Sequence, residues 1–260
     1  METSPPVVLS FLGSFATCML TALGAAPVLF GHIPSRSMRD SVLCVSVGVM
    51  LATLLVSMIF LALDGAKGLF EYGAAPAAIV CFAVFLGLSE VAQINQRIPS
   101  ERLNPHSKTS DGATLCRVWI FIFAITVHNF PEGFALGIGI AADGMSGGIP
   151  LGIGIGLQNA AEGLAVAAAL LGEGYSKHHA WLIAALTGLI EPVGGLFGAA
   201  MINSSVGYLQ WGVALAAGAT LFVSSHEIIP SSHRKGRQNR AVLGLAIGLV
   251  IMLFLDARLR

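Results

Sequence analysis

Charge is what this sequence most conspicuously lacks. Only 11% of its 260 residues are Asp, Glu, Lys or Arg, against roughly 25% in a soluble domain. So few charges could not cover a water-facing surface, which excludes an ordinary soluble globule. The formal net charge is +0, with no basic excess to grip a phosphate backbone, which excludes a nucleic-acid surface. The 4 cysteines, Cys18, Cys44, Cys81 and Cys116, stand singly. Without a CxxC there is neither a thiolate metal site nor a disulfide framework, and they read as small buried apolar residues. No histidine-rich tract is present: the longest polar stretch, about residues 92–117, holds only His106. The opening Met1-Glu2-Thr3-Ser4-Pro5-Pro6 lacks the positive region of a signal peptide, so the apolar run behind it reads as a retained span.

What is present is apolar, 55% of the chain, with a mean hydropathy of +0.80. A helix needs about 20 apolar residues to cross a hydrocarbon core of roughly 30 Å. Runs of that kind predict an all-α integral membrane protein with about eight transmembrane helices. They are Val7–Phe30, Ser41–Leu63, Tyr72–Val91, Val118–Ala142, Ile149–Gly172, Ala180–Ile202, Val206–Ser225 and Ala241–Leu255. The last is short, and Arg240 and Arg258 extend it by snorkelling to the interface. Gly31, Pro34, Asp143-Gly144 and Gly172 punctuate the gaps. Residues 1–260 read as one transmembrane transporter domain, with about 92–117 as a solvated cytoplasmic loop.

Basic residues orient the chain, because cytoplasmic loops collect Lys and Arg. Of the 14 such residues, only Lys67, Arg258 and Arg260 fall on one side of these spans. With an even number of spans, that bias places both termini outside the cytosol. Losing one span would scramble the asymmetry.

The middle of the chain repeats itself. His128-Asn129-Phe130-Pro131-Glu132-Gly133-Phe134-Ala135 matches Gln158-Asn159-Ala160-Ala161-Glu162-Gly163-Leu164-Ala165 about 30 residues later, one span plus a short loop. Successive spans run in opposite directions, so the copies face each other inverted, a pattern that places transport sites between repeats.

Three carboxylates, Glu132, Glu162 and Glu191, fall at mid-span with no Lys or Arg in the same span. An acid at that depth costs at least about 2.5–3.5 kcal/mol on insertion scales. Each must be protonated or neutralised by a cation, and a divalent metal does this directly. His128 and Glu132, like Gln158 and Glu162, are i, i+4 neighbours on one helix face. Asn129 and Asn159 add amide oxygens. Pro131 and Pro192 carry no N–H, so the carbonyls of Val127 and Gly188 lose their usual partners, which predicts kinks that widen the helices beside the ligands. Imidazole suits zinc, copper, iron and nickel, and oxygen ligands suit harder ions. The glycines Gly137, Gly139, Gly152, Gly154, Gly156, Gly194, Gly195 and Gly198 read as close-packing surfaces.

The segments His128-Asn129-Phe130-Pro131-Glu132-Gly133, Gln158-Asn159-Ala160-Ala161-Glu162-Gly163 and Glu191-Pro192 strongly resemble the ZIP (Zrt-/Irt-like) metal transporters. The short cytoplasmic loop and Ser225-His226-Glu227-Ile228-Ile229-Pro230 look like the GufA-type branch. The resemblance runs from about Gly48 to the C-terminus and implies a ZIP-type bundle, a divalent metal such as Zn²⁺ as cargo, and a homodimer, although no run marks a dimer seam. It also implies a two-metal site. His128, Glu132, Gln158 and Glu162 match one position; Asn129, Glu132, Asn159, Glu162 and Glu191 match the other. Met50 matches a thioether near the first, and His226 with Glu227, joined by His233, matches an exit station. Gln158 stands where many members have His, and Asn159 where others have Asp.

The expected function is therefore movement of zinc, or of iron, manganese or cadmium, into the cytosol, with no prosthetic group and no enzymatic step. Two other classes share parts of the pattern. An intramembrane zinc hydrolase needs three strong ligands and an open water position, and this chain has no HExxH. A proton-coupled solute carrier would use the glutamates as relays.

Overall fold

The computed structural model describes residues 6–31, 35–59, 62–63, 66, 74–97, 110–201, 206–223 and 238–259. Among them there is no strand. Helix α1 spans Pro6–Ala25 and ends in a 3-10 turn, Ala26–Val28. Helix α2 spans Arg36–Ala52, where the Ser35 side chain caps the start by accepting from the Met38 N–H at 3.2 Å, and runs on as π-helix over Thr53–Met58. Helix α3 is Ala75–Arg97 and α4 is Ser110–Gly172. Helices α5, Lys177–Thr187, and α6, Ile190–Met201, follow. The last two are α7, Val206–Val223, and α8, Gln238–Leu259.

Three helical stretches are long and apolar enough to cross a membrane: Pro6–Val28, Phe121–Gly172 and Lys177–Met201. Shorter apolar helices cover Ser41–Leu55, Ala75–Glu90, Trp211–Phe222 and Val242–Leu255. The polarity of α1 is turned inside out relative to a water-soluble helix. Ser10, Ser14, Thr17 and Thr21 are buried, while Leu12, Phe15, Leu20 and Leu23 face outward. That arrangement suits a hydrocarbon solvent, where the polar groups must find partners inside the bundle.

Helix α4 is two arms joined by a reversal. Gly144 alone leaves helical torsions, at φ 64° and ψ −146°, in the left-handed region open to glycine. Beyond it the chain returns alongside itself, with Gly147 against the Gly139 carbonyl and Gly152 against Leu136. The Asp143-Gly144 break thus separates the segments read as Val118–Ala142 and Ile149–Gly172. Helical torsions continue through Pro131, and Gly194 lies against the Phe130 carbonyl just before it. The segment read as Ala180–Ile202 is instead divided, because α5 stops at Thr187. The Gly188 carbonyl that Pro192 deprives of its usual donor accepts from the Glu191 N–H at 3.0 Å.

Small residues set the helix spacing. Gly133 and Gly137 on α4 meet the carbonyls of Glu191 and Gly195 on α6, and Gly194 and Gly198 on α6 meet those of Phe130 and Phe134. Each pair is four residues apart, the small-xxx-small pattern that lets two backbones touch. The same device joins α2 to α8 through Gly48 and Gly248, and α3 to α7 through Gly87 and Gly218. Helix α1 packs along α4 and α6.

A Cβ on Gly133 would overlap the Glu191 backbone, whereas one on Gly139 would meet only ordinary contacts, the nearest at 3.6 Å. Gly133→Ala is expected to destabilise the chain by about 1–3 kcal/mol as an overpacked interface. Gly139→Ala should be neutral or slightly stabilising. Thermal unfolding in detergent reads both, and equal midpoints for the two variants would contradict the close contact.

Candidate metal centre

The polar residues of α4 occupy a layer between two apolar ones. On one side Ile122, Ile125, Val166 and Leu170 pack with Ala180 and Ala184. On the other, Phe134, Leu136, Ile138 and Ile155 pack with Leu54 and Val213. The sequence order Ile125–His128–Glu132–Phe134 in one arm and Ile155–Gln158–Glu162–Val166 in the other makes this inevitable once the arms lie antiparallel. His128, Asn129, Glu132, Gln158, Asn159, Glu162 and Glu191 are each at most 2% exposed. At that burial a polar atom without a partner is costly.

The arms bring the repeat residues together. His128 Nε2 lies 3.1 Å from Glu132 Oε1 on its own arm and 3.8 Å from Glu162 Oε1 on the other. The Gln158 amide donates from Nε2 to Glu132 Oε1 across the same gap. Glu191 enters from the first turn of α6. Its Oε1 accepts from Asn159 Nδ2 at 2.8 Å. Asn129 donates from Nδ2 to the Thr187 carbonyl at 3.1 Å, at the break between α5 and α6.

The atoms left over are mostly ligand atoms. His128 Nδ1 has no hydrogen-bond partner, nor do Asn129 Oδ1, Glu132 Oε2, Gln158 Oε1, Asn159 Oδ1 or either oxygen of Glu162. Orphaned buried groups of this kind are rare in a folded chain. Here they form a mixed nitrogen and oxygen set, suited to a divalent cation of borderline softness. Among the described residues no group of three or more His, Cys, Asp or Glu side chains is placed to hold a metal ion.

The remaining expected positions are Met50 and the residues from His226 on. Met50 is buried among Val47, Leu51, Phe222 and Leu245. One helical turn before it, the Ser46 hydroxyl donates to the Gln158 carbonyl at 3.3 Å. His226, Glu227 and His233 lie outside the described residues. Three polar groups that sequence reasoning missed also meet the centre: Ser46, the Thr187 carbonyl, and Thr17, whose hydroxyl reaches Glu191 Oε2 at 2.5 Å. The available signal for Thr17 was the Ser10, Ser14, Thr17, Thr21 stripe along one face of an apolar span.

Known proteins are similar to this chain over most of its length. Residues 88–256 match the family model described as ZIP Zinc transporter. The zinc transporter GufA of Myxococcus xanthus is 38% identical over 239 residues, covering 92% of this chain and 94% of that protein. The zinc transporter ZIPB of Bordetella bronchiseptica is 37% identical over 248 residues, covering 95% and 80% respectively. The zinc transporter ZIP11 of Xenopus tropicalis is 30% identical over 332 residues and covers 98% of both chains.

A cation filling these orphaned donors binds the folded chain and not the unfolded one, so zinc should raise the unfolding temperature. Mass action sets the size, about 2.7 kcal/mol at a free concentration 100 times Kd. Glu162→Gln is expected to abolish most of that shift in a thermal titration of the purified protein. An unchanged midpoint across the zinc series would count against a metal at this place.

Proposed function

The chain belongs to the ZIP zinc transporter family, and from that premise we propose that it carries Zn²⁺ into the cytosol through the layer between the two arms of α4. The observation that carries this reading is the orphaned donor set around His128, Glu132 and Glu162. Two buried carboxylates and an imidazole, with amide oxygens beside them, match a doubly charged guest in both charge and ligand type.

In this reading the chain crosses the bilayer about eight times. The passes are α1, α2 with its π-helical extension, α3, each arm of α4, the broken α5–α6 pair, α7 and α8. The arms of α4 are the inverted repeat, and the Gly144 reversal and both termini face away from the cytosol. The ion enters from that side and exchanges its water for His128, Glu132, Gln158 and Glu162. Asn129 and Asn159 present their oxygens from the adjoining positions. It leaves past His226 and Glu227. Met50 stands beside the path on α2, one turn beyond the Ser46 contact to Gln158. Iron, manganese and cadmium are further candidates as cargo, since the set contains no thiolate to restrict it to soft ions.

Protons and metal compete for the same lone pairs, so uptake falls as the pH on the entry side is lowered. In sealed vesicles the wild-type chain is expected to accumulate zinc. Glu132→Ala and Glu162→Ala should each reduce the initial rate by more than about tenfold, beyond the usual effect of removing a supporting residue. Zinc uptake by both variants at the wild-type rate would reject this site. A cation panel run beside wild type ranks the possible cargoes. Orientation is checked separately: an impermeant thiol reagent should reach a cysteine placed at residue 2 of intact cells, and should not reach one placed at residue 106.

A further inference from the structure

The three mid-span glutamates are not equivalent. Glu132 leaves Oε2 without a partner, and Glu162 leaves both oxygens without one. Glu191 leaves none. Its Oε2 takes the Thr17 hydroxyl at 2.5 Å and its Oε1 takes Asn159 Nδ2 at 2.8 Å. Building on the reading of this layer as a metal site, we propose that Glu191 is not a ligand. It is the post that aims Asn159, Thr17 is the positioning residue that fixes the post, and the centre therefore takes a single divalent ion.

Both donors to Glu191 are themselves fixed. The Thr17 hydroxyl lies 2.9 Å from the Ser14 carbonyl as well, and its one proton is best used on the charged acceptor. The Asn159 amide nitrogen faces two acceptors, Glu191 Oε1 and the Thr17 carbonyl at 3.3 Å. Turning the amide round would set oxygen against oxygen on both sides, so Oδ1 is the end left free. Thr17 thus acts on Asn159 twice, through its own carbonyl and through Glu191. Helix α1 reaches this depth because Gly163 lies against the Thr21 carbonyl and Gly24 against Ala160.

Charge balance agrees with the geometry. One divalent ion offsets Glu132 and Glu162, and two hydrogen-bond donors serve Glu191. A second ion would have to share the oxygens of Glu191 with both donors.

The decisive measurement is stoichiometry, by calorimetry and metal analysis on the full chain in lipid nanodiscs, with zinc as the probe. The expected result is one zinc per wild-type chain, retained within a few-fold in affinity by Glu191→Gln and lost in Glu162→Gln. Two zinc ions per wild-type chain, or a loss in Glu191→Gln as deep as in Glu162→Gln, overturns the proposal and leaves zinc binding at the layer intact. No zinc bound at all would instead remove the transport reading beneath it. Thr17→Val should weaken binding by about 10–100-fold, the range for a group that orients a ligand, and Thr17→Ser should restore it. Wild-type affinity in Thr17→Val, or failure of Thr17→Ser to differ from it, overturns the positioning role. Asn159→Asp removes the donor and adds an acceptor, so a second zinc is expected to bind. A folded Asn159→Asp chain that still binds one shows that the Asn159 donor is not what closes the second place.

Discussion

Everything in this structure is arranged around carboxylates that have nowhere to send their charge. Glu132, Glu162 and Glu191 lie in a layer sealed above and below by apolar side chains, where water cannot screen them. An acid in that setting can be protonated, paired or neutralised by a bound cation. The only ion-pair partner of Glu132 and Glu162 among the described residues is His128. One imidazole cannot balance two carboxylates, and that surplus of acid is what motivates the proposed cation.

Backbone proximity makes such a layer possible. Side chains as short as Asn and Glu bridge two helices only if the axes come close, and glycine permits that approach. The pairs Gly133 and Gly137 on α4 and Gly194 and Gly198 on α6 interlock immediately beside Glu132 and Glu191. The residue that supplies charge and the residue that supplies closeness are adjacent in sequence, Glu132-Gly133 in one arm and Glu162-Gly163 in the other. Each Glu-Gly step does two jobs, a buried carboxylate on one helix face and close packing on the next.

Much of this was legible before any coordinates. A charge inside an apolar run is anomalous on its own, so Glu132, Glu162 and Glu191 identify themselves, and the i, i+4 spacing brings in His128 and Gln158. The reversal was legible because Asp143-Gly144 breaks an otherwise apolar run, and the observed φ of 64° at Gly144 explains the residue type. What could not be read was who meets whom. The glycine pattern announces close packing without naming α6 as the partner of α4. Pro131 reads as a kink, but the sequence does not say that the α6 backbone lies against that turn. The π-helical turn at Thr53–Met58 leaves no mark in a run of apolar residues. Thr17 was invisible for a different reason: its partner Glu191 is 174 residues away, and a Ser/Thr stripe in a span otherwise reads as small-residue packing.

The choice of ligands follows from what a permeation site must do. A resident zinc site is closed by strong donors, typically thiolates and several imidazoles, and holds its ion for the life of the fold. A transport site must also let go. This layer has one imidazole and no thiolate, and the second half of the repeat carries the amides Gln158 and Asn159. Gln158 mirrors His128, and it spends its amide nitrogen on Glu132. That N–H cannot ligate a cation; it holds a carboxylate in place and leaves Gln158 Oε1 free. On the proposed reading, a cation would meet charge from two acids and oxygen ligands from the amides, a set weaker than that of a closed zinc site.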